Sequence, residues 1–388
     1  MNYVTRVPTV SSSNDGMHVL CYAEAWGRGG IESYLMALLS RLQGKGIYFS
    51  IFSVWDWNLA LDTELEDLGV DRYTVFPDRK PGQVKRLREG AIAFGDLITE
   101  IRPDVVYANT MNGMGFLYSE VARRLGVPMR VVHSHNSAFG SGQVVAKTVM
   151  HNFGKVVLGD SATARLACSA DAGRYLFGSR PFEVVNNGID SSHFAFDPVV
   201  RADIRLRFGI PQDALLFGSV GRIAEAKNPL FQIRTFAEIL RIDPGAYYLM
   251  VGDGDMKDEV VKLINELGIG DKVVMPGYFS DPASIYSALD CFLLPSLYEG
   301  LAIVRIEAQC AGCAIVCSDD QAREAHFTHA EALLPLSADE RVWAEKAIEM
   351  AHMLDDRSAY ASRVREAGFD ADDTASKVSS VLKGGINA

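Results

Sequence analysis

No apolar run in this chain approaches the roughly 18 to 20 residues that cross a bilayer. The opening stretch MNYVTRVPTVSSSNDG likewise lacks the apolar centre of a secretory leader, so a cytoplasmic protein is expected. Basic residues are also in short supply, with 38 Lys and Arg against 49 Asp and Glu and a formal charge of −11. That balance excludes a nucleic-acid partner, which would need a basic surface. Anionic ligands must then be met by a few placed cations. No companion His or Cys pair stands at zinc-finger spacing from Cys310, Cys313 and Cys317, and the six cysteines fall mostly in apolar runs, so buried free thiols are expected rather than a metal or disulfide site. There is no internal repeat at a fixed period.

What is present is an alternation of strands and helices from end to end. Strand candidates in the first half are MHVLCYAE, YFSIFSVW, RYTVF, DVVYANT, MRVVHSH, RLACSA and FEVVN; in the second, LLFGSVG, AYYLMVG, KVVMPG, CFLLPS, AIVCS and EALLPL. Helical patterns such as IESYLMALLSRL and PLFQIRTFAEILRI lie between them. At 388 residues this predicts an α/β protein of two Rossmann-like, doubly wound parallel-sheet domains, with ligands at the strands' carboxyl ends facing the cleft between them. We expect a flexible tail over 1–16, an N-terminal domain over 17–197, a C-terminal domain over 198–370, and a last helix over 371–388 packing back on the first domain. The first boundary follows the turn formers of NNGIDSSHFAFDP, where Pro198 interrupts the pattern.

Chemistry concentrates in PSLYEGLAIVRIEAQ. A buried strand ends at Pro295, Glu299 and Gly300 fall in the turn, and a helix is predicted over 302–311. The amides of Gly300, Leu301 and Ala302 then suit a phosphate or a ring hydroxyl, and Glu307, about a turn and a half deeper, suits a vicinal diol such as ribose. Arg222 and Lys227, after the strand LLFGSV, can clamp a departing diphosphate; the bland alternative is a pair of solvated surface cations. Gly29 and Gly30 stand at the first strand-to-helix turn, where glycine permits close approach to a ligand or simply permits the turn. His133 and His135 end a strand on one face, with His135 beside Asn136 the better candidate for a sugar contact, against a purely structural role. Asp253 and Asp255 in VGDGD have a spacing that can hold a divalent ion, but favour the turn and helix dipole instead. Lys80, Lys85, Arg86 and Arg88 form a basic run that either flanks a helix in solvent or touches an anionic membrane face.

Taken in order, GRGGIES, RVVHSHN, VVNNGID, GRIAEAKN, VGDG and PSLYEGLAIVRIEAQ resemble the family 4 glycosyltransferases of GT-B architecture, over nearly the whole length. GGIES, HSHN and ACSADAGRYLFG resemble bacterial members that build capsular polysaccharide or exopolysaccharide. The resemblance implies retention of anomeric configuration, no metal or other cofactor, and a nucleotide-diphosphate sugar donor, UDP- or GDP-linked. Arg222 and Lys227 would hold the diphosphate, Glu307 the ribose, and Glu299 with the amides of Gly300, Leu301 and Ala302 the donor sugar. Gly30 would approach the diphosphate, His135 the reacting carbon, and Tyr278 the base. The expected acceptor is a saccharide or lipid-linked saccharide, with peripheral contact to the inner face of the membrane. Departures from the family pattern are Ala302, Cys313 and Asn186 where proline is common, and Arg305 where an apolar residue is common. Other readings on the same architecture are a phosphorylase, a nucleotide-sugar epimerase, and a catalytically silent binding subunit.

Overall fold

A computed structural model describes residues 3–7, 16–27, 29–57, 59, 61–137, 144–297, 301–319, 325–353 and 356–384. The chain divides into two compact units, residues 1–188 with 371–388 and residues 189–370.

The first unit holds an eight-stranded sheet. Its strands are β1 (Val4–Val7), β2 (Met17–Trp26), β3 (Ile47–Asp56), β4 (Asp71–Phe76), β5 (Val105–Thr110), β6 (Met129–Ser134), β7 (Ala164–Ala167) and β8 (Glu183–Val184). The spatial order is β1-β4-β3-β2-β5-β6-β7-β8, parallel except for β1, which runs antiparallel to β4. Residues Val4–Val7, placed in a tail by the sequence reading, thus form an edge strand; alternation over only four residues is too short to announce it. Helices α1 (Gly30–Leu42), α2 (Asp62–Asp67), α3 (Gln83–Ile101), α4 (Gly115–Arg124), α5 (Val144–Phe153) and α6 (Ala170–Phe177) connect the strands. Central strands are buried on both faces, so β5 reads as unbroken burial rather than alternation.

The second unit holds a six-stranded, wholly parallel sheet. Its elements are α7 (Pro198–Arg207), β9 (Leu216–Val220), α8 (Pro229–Ile242), β10 (Tyr247–Val251), α9 (Lys257–Leu267), β11 (Val273–Gly277), α10 (Pro282–Ala288), β12 (Cys291–Leu294), α11 (Ile303–Cys310), β13 (Ala314–Ser318), β14 (Glu331–Leu334), α12 (Glu340–His352) and α13 (Tyr360–Glu366). The strand order is β11-β10-β9-β12-β13-β14. Phe231, Phe236, Tyr248, Leu293, Val316 and Trp343 belong to its core. After Asp370 the chain returns to the first unit as α14 (Ala371–Gly384), whose Ala375, Val378 and Leu382 join the core formed with α1. An Arg41–Asp372 ion pair at 2.6 Å and a Thr374 hydroxyl donating to the Asn186 carbonyl at 2.9 Å hold its first turn.

Two switch points follow from these orders. In the first sheet the connections diverge on either side of β2 and β5, and in the second on either side of β9 and β12. Loops leaving adjacent strands in opposite directions open a crevice at their carboxyl ends, where ligands of such folds bind. All six cysteines are buried and free.

Candidate active site

In the second unit, β9 ends at Gly221, whose φ of +139° is a conformation that side chains resist. The loop beyond it is stitched to the next two. Gly221 donates to the Val251 carbonyl at 3.0 Å, Ile223 to Asp253 at 3.0 Å, and Gly252 to Gly277 at 2.9 Å. A Cβ on Gly252 would lie 1.8 Å from the Gly221 carbonyl oxygen, and one on Gly254 would lie 2.2 Å from that of Ile223. The glycines of VGDG are therefore spent on backbone contact that shapes the GRIAEAK loop.

That loop closes in a 3₁₀ turn over Glu225–Lys227 and a left-handed Asn228, φ 53°, before Pro229 opens α8. Gln232 donates to the Lys227 carbonyl at 2.8 Å, and the Ala226 carbonyl accepts from Leu297 at 2.9 Å, which ties the β9 loop to the β12 loop. Lys227 and Arg222 both line a small cavity with Ser219, Gly221, Gln232 and Phe292. Arg222 is exposed and meets the equally exposed Asp255 at 3.6 Å, a weak pairing that leaves it able to turn to a ligand. Asp253 is occupied by the Gly254 amide at 2.8 Å and the Lys257 ammonium at 3.4 Å, and no group of acidic, His and Cys side chains suited to a metal occurs among the described residues.

The other wall is α11. It starts at Ile303, one residue later than expected, with Ala302 at the N-cap offering no side-chain oxygen, so its first-turn amides have no side-chain cap. Leu301 and Ala302 are nearly buried. Glu299 and Gly300 lie outside the described residues. Glu307 projects to Tyr286, whose hydroxyl donates to its carboxylate at 2.8 Å. Burial pushes the Glu307 carboxyl up to about 7, opposed by the Tyr286 hydrogen bond and by the charge of Lys227. Lys227 and Glu307, 80 positions apart, thus act on one another in the folded unit. Tyr278 follows Gly277 at the end of β11, half exposed, two strands from the Arg222 loop.

Two features position this wall, and both involve buried arginines. Arg357 donates to the carbonyls of Tyr286 at 2.8 Å, Leu289 at 2.9 Å and Ala311 at 2.8 Å, which caps the ends of α10 and α11 together. Arg305, the departure from the family pattern, is fully buried on α11 and pairs with Glu331 of β14, its Nη2 at 2.6 Å from Oε2. The apolar contact usual at that position is thus replaced by a buried ion pair, to which His326 adds a third contact at 2.5 Å.

In the first unit the GRGGIES turn proves to be tightly packed. Gly29 is the N-cap of α1, and a Cβ there would lie 2.6 Å from the Glu32 carboxylate; a Cβ on Gly27 would lie 2.3 Å from the Trp57 indole. The conformational reading of Gly29 therefore has a specific cause, while Gly30 begins the helix. Glu32 is itself buried, and desolvation raises its carboxyl to about 7 against hydrogen bonds from its own amide and Trp57.

His133 and His135 are brought onto one face, with ring centroids 4.1 Å apart, but both are buried. His133 Nδ1 meets the Tyr107 hydroxyl at 2.6 Å, which meets Tyr34 at 2.6 Å, and His135 Nε2 meets Asn109 Oδ1 at 3.0 Å. Burial lowers His135 to about 3 and holds His133 well below the ordinary imidazole range, so both imidazoles stay neutral at pH 7. Tyr34, Tyr107 and Asn109 were not singled out in the sequence; the β5–β6 register, Asn109 opposite His133, brings in the two β5 residues, and the packing of α1 brings in Tyr34. In the basic run, Lys80 and Lys85 sit over the rings of Trp55 and Phe76, and Arg86 meets Glu24 at 3.4 Å.

Comparison with known proteins gives the family. Residues 29–188 match the model "Glycosyl transferase 4-like domain", and residues 200–367 match "Glycosyl transferases group 1". The chain is 30% identical over 316 residues to EpsF of Bacillus subtilis (strain 168), which bears a glycosyltransferase name, covering 80% of each. The chain belongs to the group 1, 4-like glycosyltransferases. A second relative of this glycosyltransferase, 26% identical over 238 residues, is the Escherichia coli UDP-Gal:alpha-D-GlcNAc-diphosphoundecaprenol alpha-1,3-galactosyltransferase; the match covers 59% of this chain and 61% of that one. The fold of the glycosyltransferase is that of GT-B structures: Anabaena Alr3699/HepE in complex with UDP superposes with a TM-score of 0.73 at 18% identity, over 95% of this chain and 100% of that one. A Rickettsia africae glycosyltransferase gives 0.74 at 16% identity, over 96% and 99%.

Proposed function

We propose that this glycosyltransferase moves a hexose or related sugar, with retention, from a UDP- or GDP-linked donor to a saccharide or lipid-linked acceptor in bacterial surface-polysaccharide synthesis. It does so in the cytoplasm at the inner face of the membrane. The second unit grips the donor and the first presents the acceptor. The observation that carries this reading is the convergence at the β9–β12 switch point of Arg222 and Lys227 on one small cavity, with the buried Glu307 held by Tyr286 within reach of the Lys227 charge and the start of α11 without a side-chain cap. Cleavage of the sugar–oxygen bond builds negative charge on the diphosphate. Lys227, Arg222 and the α11 amides stabilise that charge more in the transition state than in the ground state. Glu307, once ionised, accepts from the ribose hydroxyls, Tyr278 covers the base, and Glu299 with Gly300, Leu301 and Ala302 meets the donor sugar.

His135, held neutral by burial, offers a hydrogen bond without a competing charge near the reacting carbon, and Gly30 lets the backbone approach the diphosphate. Names of relatives support the choice of chemistry: one acts from UDP-Gal on a diphosphoundecaprenol-linked sugar, and another structure holds UDP-glucose. The test is a thermal-shift screen of UDP- and GDP-sugars, followed by transfer to lipid-linked acceptors. A donor that raises Tm in the parent protein should fail to do so in Lys227→Ala and Glu307→Ala. Undiminished donor affinity in both variants refutes the site. Release of sugar 1-phosphate with phosphate alone, or epimerised donor without acceptor, would replace transfer by a rival chemistry.

A further inference from the structure

The carboxyl end of the first sheet carries a group of polar side chains that the donor site does not use. At the β2–β5 switch point a small recess opens between the start of α3 and the start of α4, lined by Glu24, Gln83, Arg86, Thr110, Asn112 and Tyr118. Its floor is rigid. Tyr22 stacks on Tyr118 with ring centroids 3.7 Å apart, and a Cβ on Gly90 would lie 2.6 Å from the Tyr118 hydroxyl, so α3 approaches α4 as closely as a glycine allows. The rim is equally fixed. The Thr110 hydroxyl donates to the Asn112 carbonyl at 2.8 Å, Asn112 Oδ1 accepts from the Met114 amide at 2.9 Å, and a Cβ on Gly115 would lie 2.4 Å from that of Thr110.

Within this frame, hydrogen-bonding capacity is left over. Arg86 donates from Nη1 to the Pro81 carbonyl at 3.1 Å, while its enclosed Nε lies 3.4 Å from Glu24 Oε1 without making a hydrogen bond. The Glu24 carboxylate is half exposed and accepts no hydrogen bond among the described residues. Neither the Gln83 carboxamide nor Asn112 Nδ2 has a hydrogen-bond partner among them. The recess also adjoins His135, whose amide donates to the Thr110 carbonyl at 2.9 Å and whose ring is held by Asn109, the residue before Thr110.

We propose that this recess binds the terminal sugar of the acceptor and selects a neutral ring, with Glu24 accepting from a pair of vicinal hydroxyls and Arg86, Gln83 and Asn112 donating to their oxygens. Charge chooses the occupant. A hydroxyl both donates and accepts, so a mouth that offers one strong acceptor beside several donors, with Arg86 and Glu24 cancelling in net charge, matches a diol. A carboxylate or phosphate on the sugar would be attracted by Arg86 but would meet the Glu24 charge beside it, and like charges brought together at a binding site select against that ligand. Glu24 is thus the residue that excludes acidic sugars. The inference rests on the reading of the first unit as the acceptor side, and it gives that acceptor a chemical class.

The test is a saturation-transfer NMR titration of the full chain, without donor, using the methyl glycosides of glucose, galactose, N-acetylglucosamine and glucuronic acid. At least one neutral glycoside should bind, and the glucuronide should bind about tenfold more weakly or not at all. Glu24→Ala should weaken the neutral glycoside by about tenfold or more, the loss expected for hydrogen bonds to a charged group. Glu24→Gln should strengthen the glucuronide by about tenfold, because it removes the repulsion and leaves Arg86 uncompensated, and a gain of binding cannot come from misfolding. Donor-induced thermal shift should be equal in the parent and both variants. A parent that binds the glycosides but shows no donor-induced shift sinks the donor site and leaves the recess standing. Failure of every neutral glycoside to bind overturns the proposal, as does a glucuronide that binds the parent as well as they do, or a Glu24→Gln variant with no gain for it.

Discussion

Glu307 offers the sharpest test of the donor site, because its environment sets both a stability and a binding profile. Its carboxyl rises from the ordinary 4.5 to about 7, chiefly by desolvation. A carboxyl whose folded value is raised binds more protons in the native state than in the unfolded chain between those two values. Stability is therefore lost as pH rises through that window and is fully present below 4.5. At 1.36 kcal/mol per unit the upper bound is about 3 kcal/mol, and partial access to water reduces it to about 1–2 kcal/mol. Glu307→Gln keeps an acceptor for Tyr286 and removes the penalty. The variant should match the parent near pH 4.5 and melt roughly 2–8 °C higher at pH 8, since 1 kcal/mol moves Tm by about 2–4 °C in a unit of this size. Donor affinity should behave oppositely: in the parent it rises with pH through about 7 as the carboxylate forms, and in the variant it stays low and flat. Melting curves and calorimetric titrations from pH 4.5 to 8.5 provide both readouts. A Tm difference independent of pH would refute the assignment of a strained, ligand-ready carboxyl.

Other expectations follow from the same framework. Arg305→Met should cost about 3–5 kcal/mol in urea denaturation by stranding the buried Glu331, and Arg305→Met with Glu331→Met should recover most of it. Gly252→Ala places a methyl where the Gly221 carbonyl oxygen stands and forces a side chain to φ +139°, so Tm should fall by several degrees and donor binding should vanish. Asp255→Ala should leave Tm within about a degree, since the exposed pair contributes little, while donor affinity stays equal or improves as Arg222 is released. A fall in donor affinity in that last variant would show that Asp255 itself contacts the ligand.

Much of the architecture was written locally. CFLLPS and AIVCS could only be buried strands, and the alternation with helices made two parallel sheets the natural arrangement. The residues of the GRIAEAKN and PSLYEG segments stood out for the same reason: charge and glycine at a strand's carboxyl end. Other features were hidden because their cause lies elsewhere in the chain. The VGDGD segment was read as a turn from its acids, Asp253 and Asp255; that Gly252 and Gly254 serve close backbone contact with the neighbouring loop shows only in the fold. For His135 the sequence showed a strand-end imidazole beside Asn136, while its burial against Asn109 of β5 and Tyr34 of α1, which keeps it neutral, came from the fold. Arg305 stood only as a departure from a commonly apolar family position until β14 supplied Glu331.

The sequence by itself determined period, polarity and punctuation, and with them most of the strands, their alternation with helices along the chain, and the family. Those are properties of contiguous residues, set by side-chain alternation and by what proline and glycine permit. Only the tertiary structure decided which distant groups share a low-dielectric space. Lys227 with Glu307, Arg305 with Glu331 and the enclosed histidines acquire their chemistry from that sharing, because desolvation and Coulomb forces depend on separation in space and not along the chain.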